Sequence, residues 1–159
     1  MGRSERPLGE LEALAETPGM SLRASAADGW QVWESPDGDS DIGSMNVLAQ
    51  ETGAPALFGY VMDSDCVVVE AAAPESGAWT TCLARAAMAG YLGADKEGLT
   101  LEDYFLEPRD AADRAVAWAA EAGHDVTAEP LLDVLTADPD ALAENLFFRL
   151  LDRLGVVPL

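Results

Sequence analysis

Positive charge is what this chain lacks most. Lysine occurs once, at Lys96, histidine once, at His124, and no Lys or Arg lies between Arg23 and Arg85. With 9 Lys plus Arg against 29 Asp plus Glu in 159 residues, the formal net charge is -20. Nonspecific nucleic-acid binding needs cations to neutralise phosphates, and an anionic membrane surface repels so negative a chain, so neither partner is expected. No uninterrupted apolar run approaches the roughly 20 residues of a helical membrane span. Arg3 and Arg6 are followed by Glu5, Glu10, Glu12 and Glu16 and by no apolar stretch, which argues against a secretory signal. Arg6 also stands where a myristoylated Gly2 would need Ser or Thr downstream. The two cysteines, Cys66 and Cys82, are too few and too isolated for a disulfide framework or a closed zinc site. These absences together predict a cytoplasmic protein.

What is present is enough apolar material for a core. At 49 % hydrophobic residues, the chain is expected to fold as one globular domain over residues 1–159, with 1–25 as a peripheral N-terminal helix and linker. The spacing of Leu8, Leu11, Leu14 and Ala15 predicts a short amphipathic helix ending at Pro18 and Gly19. Trp30 to Glu34 has the aromatic and β-branched content of a strand. Ser40 or Asp41 is positioned to cap a helix carrying Ile42, Met45, Leu48 and Ala49 on one face, stopped by Gly53. Ala56 to Met62 and Cys66 to Ala72 read as strands joined through Asp63, Ser64 and Asp65, a connection short enough to require an antiparallel hairpin. In that hairpin Phe58, Tyr60, Met62, Cys66 and Val68 share one face, and Leu57, Val61, Val67 and Val69 share the other. Two apolar faces predict cover on both sides, by helices or by a partner subunit.

Beyond the hairpin, Ser76 is expected to cap a helix from Ala78 to Leu92, ending at Gly93. Thr100 and Asp103 resemble a capping box before a short segment stopped by Pro108, and Arg109 to Ala122 is an Ala-rich helix closed by Gly123. Thr127 is placed to cap a short helix around Pro130 to Leu135. Asp138 as cap, Pro139 in the first turn and Gly155 after the end predict a final helix. In it Leu142, Ala143, Leu146, Phe147, Leu150, Leu151 and Leu154 cover about half the circumference. Phe148 projects beyond that stripe; the helix reads first as a core helix, and the alternative is a subunit or partner contact, with Phe147 and Phe148 at the contact of a homodimer. The order of elements gives an α+β fold: a small antiparallel sheet with a central hairpin, packed by helices, and a helical C-terminal half.

Motifs that carry chemistry are incomplete. Asp37, Asp39 and Asp41 resemble the opening of a calcium loop, but Ile42 occupies the place of the turn glycine and Leu48 that of the bidentate glutamate, which excludes an EF-hand. Asp63 and Asp65, with Glu70, form a weak divalent-metal candidate for a small metal-dependent enzyme or ligand-binding domain, although Asp and Ser are also ordinary turn residues. Cys82 lies near the expected start of a helix, where a thiol pKa would fall, but buried, inert thiols are the better reading for both cysteines. Ser44 lacks the second glycine of a nucleophile elbow, and no phosphate-binding glycine motif occurs. The reading therefore leans away from an enzyme and implies no cofactor.

Between Arg23 and Arg85 the acids Asp28, Glu34, Asp37, Asp39, Asp41, Glu51, Asp63, Asp65, Glu70 and Glu75 stand unopposed. Such a face steers a basic partner, or it only keeps the chain soluble through a composition set by coding bias or adaptation to salt. The first reading gives the leading expectation: a noncatalytic acidic domain of the inhibitor, immunity or adaptor type. It would engage a basic protein through Asp37, Asp39, Asp41, Asp63 and Asp65, with Trp30 or Trp33 as apolar anchors. A self-associating structural domain is the remaining alternative.

Overall fold

The computed structural model describes residues 1–35, 44–93 and 100–155. It is an α+β fold with two antiparallel three-stranded sheets and a helical C-terminal half. In chain order the elements are β1 (Gly2–Arg3), two 3-10 turns (Leu8–Glu10 and Glu12–Leu14), β2 (Ser21–Ser25), β3 (Trp30–Glu34), α1 (Met45–Thr52), β4 (Ala56–Met62), β5 (Cys66–Ala73) and β6 (Gly77–Leu83). There follow α2 (Arg85–Gly93), α3 (Leu101–Tyr104), α4 (Pro108–Glu121), α5 (Ala128–Thr136) and α6 (Ala143–Leu154).

The expected hairpin forms as β4 and β5, paired from Ala56 with Ala72 to Met62 with Cys66. Its three-residue connection bends without glycine through Asp63 and Ser64, both left-handed at φ 49° and 59°, and the Asp65 N–H donates back to the Met62 carbonyl at 2.9 Å. β5 is the central strand, between β4 and β6. The Leu57, Val67 and Val69 face is buried in the larger core with Leu131, Leu146, Leu150 and Trp118 from the C-terminal helices. On the opposite face, Ala56 and Ala72 lie under α1 and the 3-10 turns, in a cluster with Leu8, Leu14, Met45 and Leu48. Between the covered ends, Tyr60 remains exposed and Phe58, Val68 and Glu70 are half-buried. The two-faced reading of the hairpin is thus met mainly by the chain's own helices.

Several elements differ from expectation. The segment Gly77–Leu83 is a strand, because Trp79, Thr80 and Thr81 pair along β5 opposite Ala71, Glu70 and Val69. The helix begins only at Arg85, after Ala84 turns left-handed at φ 56°. Ser76 is therefore a turn residue, and no helix cap. Residues 1–25 supply two strands: β1 and β2 flank β3 in a second sheet, and two 3-10 turns replace the expected helix. The final helix starts at Ala143, since Ala141 at φ 70° cannot continue a right-handed helix from Asp138. Ser44 caps α1 through the Val47 N–H, while Ser40, Asp41 and Ile42 lie outside the described residues. Pro108 opens α4 as its first residue, as its missing N–H allows.

The β5–β6 turn is tied to α4 by one carboxylate. Glu121 accepts the N–H of Glu75 at 2.8 Å, the N–H of Ser76 at 2.9 Å, and the Ser76 hydroxyl. Partial desolvation pushes this carboxyl up, but the three donors outweigh it and hold it below the ordinary glutamate value. A depressed acid contributes stability that is present above its unfolded-state pKa and is lost as pH falls through the folded one. Glu121→Ala is thus expected to destabilise the domain by about 1–3 kcal/mol near neutrality, and by less at pH 3, in denaturant titrations at the two pH values. An equal loss at both would show that the bonds do not depend on the charge.

Candidate functional site

The hairpin tip docks on the start of α6. Ser64 donates its hydroxyl to Glu144 Oε1 at 2.6 Å, and the Ala143 N–H donates to the Ser64 carbonyl at 3.0 Å. The Tyr91 hydroxyl of α2 lies 3.2 Å from Asp65 Oδ2 and 3.4 Å from Asp63 Oδ2, so the two carboxylates converge on one donor. Partial desolvation, the hydrogen bond to Asp65 and the two nearby negative charges push the Tyr91 phenol up to about 12. Asp63, Asp65 and Glu144 are thereby gathered around one turn. Glu144 sits in the first turn of α6. Its second oxygen, Oε2, is buried and has no hydrogen-bond partner among the described residues.

Glu144 also lines a cleft of about 660 Å³ between the two sheets and α6. The walls are mostly apolar: Phe58, Tyr60 and Val61 from β4, Trp33 from β3, and Phe147 and Phe148 from α6. Arg23 and Glu34, an exposed ion pair, stand at its margin. The Phe147 ring lies over Gly59, where an added Cβ would fall 2.5 Å from it. The two phenylalanine rings are 6.3 Å apart, and Phe148 remains 49 % exposed. A second cleft of about 600 Å³ beside β6 is lined by Trp79, Arg114, Asp110 and Asp113, but Arg114 already donates to the Ser76 and Ala78 carbonyls.

Of the residues expected to form a site, the structure unites Asp63 and Asp65 and sets Trp33 on the cleft. Trp30 offers nothing to a partner: it is fully buried, 5.9 Å from Trp118, and belongs to the core. Asp37, Asp39 and Asp41 lie outside the described residues. Phe147 packs on its own chain's Gly59, leaving Phe148 as the exposed member of the pair. Glu70 sits opposite Phe58 and Thr80, about 13 Å along β5 from the tip at the usual strand rise. Among the described residues no three His, Cys, Asp or Glu side chains come together as metal ligands.

The cysteines are placed against reactivity. Cys82 lies in β6, not at a helix start, and both thiols are buried. Burial pushes the Cys82 thiol up to about 11 against the pull of the Arg85 charge, and burial with Asp65 and Asp63 pushes Cys66 up as well. Neither is a thiolate at neutral pH. Ellman-type titration at pH 8 is expected to label neither cysteine in the native protein and both after denaturation; rapid native labelling would contradict their burial.

Tyr60, Tyr91, Glu144 and the cleft itself escape a reading of the sequence, because they meet through contacts between distant segments. Gly59 is the one local signal: a glycine inside an apolar strand marks a close approach, here by Phe147. No protein-family model matches the chain, and searches of curated proteins and of solved structures find no match.

Proposed function

We propose that this chain is a noncatalytic acidic protein-binding domain, of the inhibitor, immunity or adaptor type, that engages a basic protein partner. The observation that carries this reading is the gathering of Asp63, Asp65 and Glu144 beside an apolar cleft. The acids attract and orient the partner over long range, and Trp33, Tyr60 and Phe148 supply the apolar contact that holds it. Glu144 lines the cleft, so a Lys or Arg side chain entering it meets a negative charge there.

Affinity capture from native lysate with a salt step tests this directly. The wild-type chain is expected to release a basic protein at high salt that the Asp63→Asn/Asp65→Asn variant fails to retain. Equal retention by both would remove these acids from the interface.

A further inference from the structure

The larger cleft contains an unfinished sheet edge. β4 is the outer strand of its sheet. At its start, Leu57 exchanges both backbone bonds with Met1: the Leu57 N–H donates to the Met1 carbonyl at 2.9 Å, and the Met1 amine donates to the Leu57 carbonyl at 2.6 Å. In an antiparallel pair the backbone groups of successive residues point alternately toward and away from the neighbouring strand. Leu57 points away from β5, so Gly59 and Val61 do too. Met1 reaches only Leu57, and among the described residues the outward N–H and C=O groups of Gly59 and Val61 have no partner. An unprotected edge is a template for another strand, and proteins normally cover or blunt it. Here both residues line the cleft.

We infer that the edge of β4 at Gly59 and Val61 receives an extended segment of the basic partner by strand addition, completing the sheet inside the cleft. Backbone bonds to Gly59 and Val61 fix the register. Side chains at alternate positions of the segment face the apolar walls, and basic ones lie toward Glu144 and the hairpin tip. Charge complementarity favours this occupant over a second copy of the chain, which would bring together two molecules of formal net charge -20. The inference rests on the proposed function for the chemistry of the partner, but not for the pairing itself.

The test uses capped peptides of alternating Lys and Val, or alternating Thr and Val, about seven residues long, titrated into the full chain and followed by amide NMR. In a strand, the N–H groups of alternate residues point to the same side. N-methylating one alternate set of the Lys/Val peptide is therefore expected to weaken binding about tenfold or more, and methylating the other set to leave it unchanged. The Gly59 and Val61 amides are expected to shift and to exchange more slowly with solvent when the peptide is bound. Val61→Pro, which removes an N–H that bonds nothing among the described residues, is expected to reproduce the weakening; if that variant fails to fold, the methylated peptides on the wild-type chain decide.

Salt-sensitive Lys/Val binding that is indifferent to methylation and leaves both amides unmoved would overturn strand addition while leaving the acidic-surface reading in place. Thr/Val binding equal to Lys/Val, with both amides protected, would support strand addition and remove the basic partner. Failure of both peptides to bind, or protection of the two amides in the free chain that grows with concentration, would overturn the inference.

Discussion

Replacing Trp118 by alanine is expected to lower the unfolding free energy by about 3–5 kcal/mol. Trp118 is fully buried in α4, packs against Trp30, and donates its indole N–H to the carbonyls of Ala56 and Ala72 at 3.1 Å each. It therefore joins the helical half to the first residue pair of the central hairpin, and stands between the hairpin and the second sheet. Truncation leaves a large cavity and removes the donor shared by two carbonyls. Trp118→Phe, which keeps most of the ring volume, separates the two contributions and is expected to cost about 1–3 kcal/mol. Denaturant titration reads both; a loss below about 1 kcal/mol for the alanine variant would mean that the core closes without this side chain.

The second large effect is expected at Gly59. A Cβ there would lie 2.5 to 2.8 Å from three atoms of the Phe147 ring, so even alanine forces the ring out of place. Gly59→Ala should cost about 1–3 kcal/mol and Gly59→Val more, as overpacking does. Because the clash has one identified cause, it can be relieved: in the Phe147→Leu background the penalty of Gly59→Ala should shrink. The coupling in that double-mutant cycle should reach about 1 kcal/mol, whereas independent sites add within about 0.5 kcal/mol. Strict additivity would place the strain elsewhere. The same substitution also drives Phe147 toward the cleft that both residues line, so Gly59→Ala should weaken partner capture as well as stability.

The sequence reveals elements wherever local chemistry agrees with the final packing. The hairpin is legible because β-branched residues, a two-faced alternation and turn residues all point the same way. β6 is not: Ser76 imitates a helix cap and an Ala-rich run follows, while the signal for a strand lies in pairing with β5, which no local pattern contains. The start of α6 is misread for a related reason, since Asp138 and Pro139 look like a cap but Ser64, far away in sequence, supplies the carbonyl that receives the Ala143 N–H. Trp30 and Trp33 look equivalent as aromatic residues, yet in a strand an offset of three sends them to opposite faces, and only one can enter the core. The acids Asp63 and Asp65 are visible in the sequence; that Tyr91 draws them together and that Glu144 joins them is visible only in the fold.

The account turns on whether the gathered acids act on a partner. Its most direct test is the association rate constant of the captured basic protein with the wild-type chain and with Asp63→Asn/Asp65→Asn, measured as a function of ionic strength by stopped flow. Electrostatic steering predicts fast wild-type association that falls steeply as salt rises, and slower association with a shallower salt slope for the variant. Identical rates and identical salt slopes for the two chains would contradict it.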